Sequence, residues 1–305
     1  MKNIFISLIN FNGRQNTIDC LESIEKLNSA GPKLNVVVID NNSKEKFTIR
    51  DLRFKNQIKI IRNEQNLGFS GGHNVGIDFA LSKDADYILI LNNDTIVDSN
   101  LVQELLRELE KNSKVGIATP KIYFFPGFEF HKDRYKKDEL GRVIWYAGGQ
   151  IDWNNIIGKH TGVDEVDNGQ YNHILETEFA SGACMLIKRE LIEKIGKFDE
   201  KYFLYYEDAD FCQRSKKTGY KTIYAPRAIL WHKNAGSAGG SGSELQDYYL
   251  TRNRLLFGMK YAPYRSKLAL LKESIILLTK GRKWQKKGVR DFYSGKFGKG
   301  SFQYE

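Results

Sequence analysis

The chain has 305 residues, 41% of them hydrophobic and 28% charged, with a formal net charge of +10. That is enough for one large domain with an appendage, or two modest domains, and the composition is that of a folded globular protein rather than a disordered one. No run of about 18 apolar residues occurs, which argues against a spanning helix; the longest late candidate, KLALLKESIILLTK, is interrupted by Lys272 and Glu273. The start, MKNIFISLINFNG, reads as a strand without a small-residue cleavage site, so no export signal is expected. Cys20, Cys184 and Cys212 are odd in number and lack the close spacing of a zinc or redox motif, which suits reduced thiols in a cytoplasmic protein.

The charge is uneven. Residues 251–305 hold 14 Lys+Arg against 3 Asp+Glu, so the body is near neutral and the tail strongly basic. Such a tail suits an anionic surface, and with Trp284, Phe292, Tyr293 and Phe297 among its lysines it could hold the protein at the inner face of a membrane. A solvated helical face that keeps the chain soluble is the competing reading. Nucleic acid is not an expected partner, because no binding motif is recognisable and the body is not basic.

In chain order, residues 3–11 read as a buried strand, and Ile18, Leu21, Ile24 and Leu27 recur at helical spacing over 13–27. Residues 34–42 and 57–63 are two further apolar strands. A helix runs through Val75, Phe79 and Ala80, and a fourth strand, DYILILNND, precedes a helix over 99–111. Near-continuous apolar strands alternating with helices imply an α/β protein with a mostly parallel sheet covered on both faces. From 122 to 178 the pattern weakens, which reads as a hairpin-rich insertion or a mobile loop outside the main core. ACMLIKRELIEKIG then reads as strand into helix, EDADFCQRSKKTGY as a helix ended by Gly219, and KTIYAPRAILWHK as a strand. Asn234–Ser243 is a Gly/Ser stretch, and basic helices finish the chain.

Ligands of a parallel sheet bind at the carboxyl ends of its strands. Here those ends are Asn10-Phe11-Asn12, Asp40-Asn41-Asn42 and Asn92-Asn93-Asp94. Any one of them is a turn by composition; three on one edge point to a site. The segment Asn66–Ile77, NLGFSGGHNVGI, opens a helix after the third strand. Its glycines allow close approach to a ligand and its N-terminal N–H groups suit a phosphate, although a structural glycine-rich turn fits equally and neither the Walker nor the dinucleotide spacing is present. Glu207, Asp208 and Asp210 open another helix, either as dipole-favoured caps or with one of them as a general base. His232 stands at a strand end, where with Asp94 it would make a divalent-ion pair.

Taken in order, SLINFNG, VVVIDNNS, NLGFSGGHNVGI, ILILNNDT, the stretch from ASGACM through YYEDADFCQRSKKTGY, and LWHK resemble family 2 inverting glycosyltransferases with a GT-A fold, in particular the rhamnosyltransferase-like branch. The likeness covers about residues 1–235, with YYLTRNRLLF and GVRDFYSGKFGK also similar to that branch. It implies a Rossmann-like GT-A domain over 1–243, with 122–178 as a variable acceptor-side insertion, and a helical basic extension over 244–305. It implies a nucleotide-binding group of Ile9, Phe11, Asp40, Asn74, Asn93 and Arg252, with Asp40 on the base and Arg252 reaching back to the diphosphate. Asp94 and His232 would hold Mg2+ or Mn2+. Asp208 would be the base, with Gly182, Glu207 and Asp210 on the sugar and acceptor side. The implied reaction moves a sugar, rhamnose from dTDP-rhamnose first, to a polysaccharide or lipid-linked saccharide. A non-catalytic sugar-nucleotide-binding or membrane scaffold protein of the same fold is the alternative.

Overall fold

The computed structural model describes residues 1–28, 31–48, 58–233 and 242–303. The first half winds as anticipated. Strand β1 (Asn3–Asn10) leads into α1 (Arg14–Ile24), β2 (Lys33–Asp40), β3 (Ile58–Arg62) and α2 (Gly68–Leu81). After β4 (Tyr87–Asn92) and the short β5 (Thr95–Val97), α3 (Leu101–Lys111) returns across the sheet. Leu101, Leu105 and Leu109 recur every four residues on one helix face and are fully buried.

One large sheet carries the molecule. β6 (Val115–Phe124), β11 (Cys184–Lys188), β12 (Lys221–His232) and β10 (Leu175–Glu176) complete the order β3-β2-β1-β4-β11-β6-β12-β10. β1, β2, β3 and β4 are mutually parallel, so their carboxyl ends share one edge. β11 runs antiparallel between β4 and β6, and β12 is parallel to β6. The sheet is thus mixed and mostly parallel, with α4 (Arg189–Ile195) and α5 (Glu207–Lys217) in its second half.

The 122–178 region is less separate than its sequence suggests. β6 runs unbroken through the expected boundary to Phe124, β7 (Ile144–Tyr146) pairs with it, and β10 pairs with β12. Only β8 (Gly149–Asp152) and β9 (Ile157–His160) form a hairpin of their own. Ile144, Tyr146 and Ala147 have no exposed surface and belong to the main core. β6 contains Pro120, which lacks a ladder donor. Pro120 is accommodated because β11 pairs with β6 only at Ile117 and Ala118, and because the β12 register skips from Ala225 to Ile229 just beyond it.

The carboxyl-terminal helices are α6 (Glu244–Tyr261), α7 (Tyr264–Lys280) and α8 (Lys283–Tyr293). They pack onto the body, with Leu255, Phe257, Leu270 and Val289 buried in the same core cluster as the sheet. All three cysteines are buried and free. Most of the Gly/Ser stretch expected over 234–243 lies outside the described residues. Among the described residues, no helix is long and apolar enough to cross a membrane.

Candidate active site

The polar strand ends are wired together across the sheet edge. Asn93 Nδ2 donates to Thr17 Oγ1 at 2.8 Å, Thr17 Oγ1 donates to Asn10 Oδ1 at 3.0 Å, and Asn10 Nδ2 donates to Ser43 Oγ at 3.0 Å. Ile9 and Phe11 lie partly exposed beside this chain. Ile9 also touches α2, where a Cβ at Gly72 would come within 2.7 Å of its Cδ1.

The next corner is built by β5 and β12. Pairing of Thr95 with His232, and donation from Lys233 N to Asp94 O at 2.8 Å, bring two distant segments into register. His232 Nε2 then lies 3.1 Å from Asp94 Oδ1. This is a direct hydrogen-bond distance, and two adjacent ligands of an octahedral ion at about 2.1 Å would also be about 3 Å apart, so the pair could turn to an Mg2+ or Mn2+ ion with little movement. Among the described residues no group of three or more His, Cys, Asp or Glu could hold a metal. A two-residue set fits an ion that completes its shell with substrate phosphates and water. His232 Nδ1 is buried without a hydrogen-bond partner among the described residues. The ring is braced by packing instead, with Trp145 of β7 set edge-on at 4.6 Å between centroids.

A backbone step joins this corner to the acids. Asn92 N donates to Ala183 O at 2.9 Å, placing the Ala180–Cys184 turn against the end of β4. One residue earlier, Gly182 N donates to Asp208 Oδ2 at 2.9 Å, while Ala209 N donates to Oδ1 at 2.7 Å. Glycine at 182 lets the Phe69 ring sit close, since a Cβ would meet its Cζ at 2.8 Å and push the ring aside. Burial raises the Asp208 pKa, and the N–H groups of Gly182 and Ala209 only partly oppose it. Glu207 is almost fully buried, and its Oε2 has no partner among the described residues. Burial, then the Asp208 charge, pushes its pKa well above the carboxylate range.

Several expected contacts are not made. The N–H groups opening α2 are not free for phosphate: Leu67 N and Gly68 N donate to the Asn41 and Asn66 side chains, and Phe69 N and Ser70 N to Phe203 O. The glycines of this segment serve packing, as at Gly68, where φ is +69° and a Cβ would lie 2.3 Å from Phe203 O. Asp40 does not offer its carboxylate to a base. It has no exposed surface and accepts from Ser43 N at 3.0 Å, Phe47 N at 3.2 Å and the Arg62 guanidinium. Asn74 is turned away from the edge, bonded to Phe198 N and O and to Glu200. Asp210 is also fully buried, accepting from Lys260 at 2.6 Å, Arg214 at 2.8 Å and Tyr261 at 2.8 Å. Burial would raise its pKa, but Lys260 and Arg214 outweigh burial and hold it low. It is an anchor for α6, not an acceptor contact.

Arg252 likewise does not reach a diphosphate. Its guanidinium is fully buried and donates to Gly298 O, Lys201 O and Tyr202 O, beside the rings of Tyr248 and Tyr249. Its Nε also holds Asn253 Oδ1 at 3.0 Å, and Asn253 Nδ2 lies within 2.9 Å of the carbonyls of Tyr202, Leu204 and Tyr205. These carbonyls belong to the loop that delivers Glu207 and Asp208. Phe203, Tyr205 and Tyr206 there have φ of 65°, 70° and 72°, a left-handed backbone costly for bulky residues. Nothing in the sequence marks the strain, since no glycine stands at these positions. Asn253→Ala removes the shared donor from buried carbonyls and is expected to cost about 3 kcal/mol. An unchanged midpoint in denaturant unfolding would remove the clamp from the account.

The topology and sheet edge define a GT-A-like α/β protein. Among solved structures, GalNAc-T7 with UDP, GalNAc and Mn2+ is similar in fold, with a TM-score of 0.60 at 16% identity, covering 96% of this chain and 58% of that one. The pattern of glycosyl transferase family 2 matches residues 6–196, and the chain belongs to that family. A low-salt glycan biosynthesis hexosyltransferase of Haloferax volcanii is 26% identical over 221 residues, 72% of this chain and 66% of its own length. The dTDP-rhamnosyl transferase RfbF of Shigella flexneri is 23% identical over 234 residues, 72% of this chain and 69% of its own. The chain thus spans about two thirds of the length of these relatives.

Proposed function

We propose that this chain is a metal-dependent inverting glycosyltransferase that moves a sugar from a nucleoside-diphosphate donor to a polysaccharide or lipid-linked saccharide. The observation that carries this reading is the convergence, through the Asn92–Ala183 hydrogen bond, of the Asp94–His232 pair with Asp208 at one sheet edge. Ile9, Phe11 and Asn93 flank the donor's nucleoside and diphosphate on the β1 and β4 side. Asp94 and His232 would hold Mg2+ or Mn2+, which would supply positive charge to the departing diphosphate. That the GalNAc-T7 structure, similar in fold, contains UDP and Mn2+ is in keeping with metal dependence.

The chemistry is a single displacement. The acceptor oxygen forms a bond to the anomeric carbon as the bond to the diphosphate breaks, and Asp208 takes the acceptor's proton. Hydrogen bonds from Gly182 N and Ala209 N fix both oxygens of that carboxylate, so it meets the acceptor in one orientation. Glu207, buried beside it with Oε2 lacking a partner among the described residues, shapes the acceptor side.

For the donor, rhamnose from dTDP-rhamnose is the first choice, supported by the branch likeness and by the name of the Shigella relative. The name of the Haloferax relative favours another hexose as the second. A panel of nucleoside-diphosphate sugars with Mn2+, read by nucleoside-diphosphate release and by proton NMR of the product anomer, separates them. Turnover of one donor with inverted configuration is expected. A retained configuration, or no turnover of any donor by the folded chain, would refute the proposal.

A further inference from the structure

Helix α7 has two apolar faces, and the body covers only one. Ser266, Leu270 and Ser274 are buried against the molecule. On a second face Tyr264 is 78% exposed, Leu268 43% and Ile275 61%. At 3.6 residues per turn these three fall within about 40° of one another, and the half-buried Leu271 extends the stripe to about 60°, while Leu278 turns back onto the core. Lys267 flanks it on one side and Arg265 and Lys272 on the other, the arrangement of a helix lying in a lipid interface. Tyr293 of α8 is half exposed and its hydroxyl is 2.7 Å from Ser274 Oγ, so it sits at the margin of the same helix.

The charge around this stripe is one-sided. Residues 264–300 carry eleven Lys and Arg and only Glu273 and Asp291 as acids. Both acids are occupied internally. Glu273 takes both terminal nitrogens of Arg254, at 2.7 and 2.9 Å, and Asp291 is buried against Tyr248 and Ser301. No acid in this segment is left to offset the flanking cations.

The expected role of the tail aromatics changes accordingly. Trp284 packs on Tyr248 and Phe302, and Phe292 on the core, so neither is presented outward as the sequence suggested. We infer that the Tyr264–Leu268–Ile275 face of α7, flanked by Arg265, Lys267 and Lys272, docks the protein on an anionic lipid surface. Apolar side chains enter the acyl boundary while the cations meet headgroup phosphates. This surface is separate from the strand-edge site and does not depend on the sugar-transfer reading.

The test is co-sedimentation of the full chain with phosphatidylglycerol-rich and with phosphatidylcholine vesicles, for the native protein and for the pair Leu268→Glu/Ile275→Glu. Both changes point outward, so far-UV circular dichroism and nucleoside-diphosphate binding should match the native chain. Native protein is expected to prefer the anionic vesicles, with binding that falls as salt rises, and the double variant to lose at least about tenfold in partitioning. Lys267→Ala/Lys272→Ala should weaken anionic binding while leaving the weak phosphatidylcholine binding unchanged. Equal sedimentation of the native and Leu268→Glu/Ile275→Glu chains would overturn the inference. So would a native dimer, seen by light scattering, that the double variant dissolves, because the face would then belong to a second copy.

Discussion

Replacing Asp208 by Asn should reduce turnover by about 10² to 10⁴ while leaving nucleoside-diphosphate binding intact. The carboxylate is held from two sides by backbone N–H groups of Gly182 and Ala209. An amide keeps the shape and its oxygen can accept from one of these two N–H groups, but it loses the other bond and cannot take the acceptor's proton. The effect should therefore fall on kcat rather than on the donor's KM. The native enzyme should also show an acid limb. Burial raises the Asp208 pKa from 3.8, and if Asp208 is the base only its ionised form serves, so activity should fall as pH drops through that raised value. The limb lies above the range of an exposed aspartate and is absent from whatever activity Asp208→Asn retains. Native-like turnover in the variant would transfer the role of base to another group, with Glu207 the first to consider.

The second large effect is expected at Asp94. On the proposed reading, removing its carboxylate would leave His232 alone to hold the ion, since no group of three or more His, Cys, Asp or Glu could hold a metal among the described residues. The charge stabilisation that a bound divalent ion gives a leaving diphosphate is worth several kcal/mol. At about 1.4 kcal/mol per factor of ten, Asp94→Ala should lose on the order of 10²-fold or more in turnover, with excess Mn2+ restoring little of it. The backbone pairing at this corner should persist, because the Asp94 carbonyl that receives Lys233 N is unchanged, while His232 Nε2 loses its carboxylate partner; circular dichroism checks that the variant is folded. Full activity of Asp94→Ala in the presence of a chelator would show that the site works without a metal.

Much of this architecture is legible in sequence because apolar runs that stop abruptly at small polar residues mark the carboxyl ends of buried parallel strands. Asn10, Asp40 and Asn92 close β1, β2 and β4, and the edge they share is the one that carries the Asp94–His232 pair. The acids of α5 show where that reading ends. Glu207, Asp208 and Asp210 look alike in sequence, yet Lys260 and Tyr261, fifty residues on, turn Asp210 into an anchor and leave Asp208 at the site. Arg252 and Asn74 fail for the same reason, since their partners lie on distant carbonyls and loops. The glycines of NLGFSGG are ambiguous for a different one. A backbone that must approach a phosphate and a backbone that must approach Phe203 O both require glycine, and only the structure shows which is present.

Calorimetric titration of the native chain with a panel of nucleoside diphosphates, with and without Mn2+, tests the central claim most directly, with Asp94→Ala as the control. The strand-edge site predicts that one diphosphate binds, that Mn2+ strengthens the binding, and that the Mn2+ effect disappears in the variant. A folded chain that binds no nucleoside diphosphate under either condition would contradict the catalytic reading and leave a protein of this family that keeps the fold without the transfer.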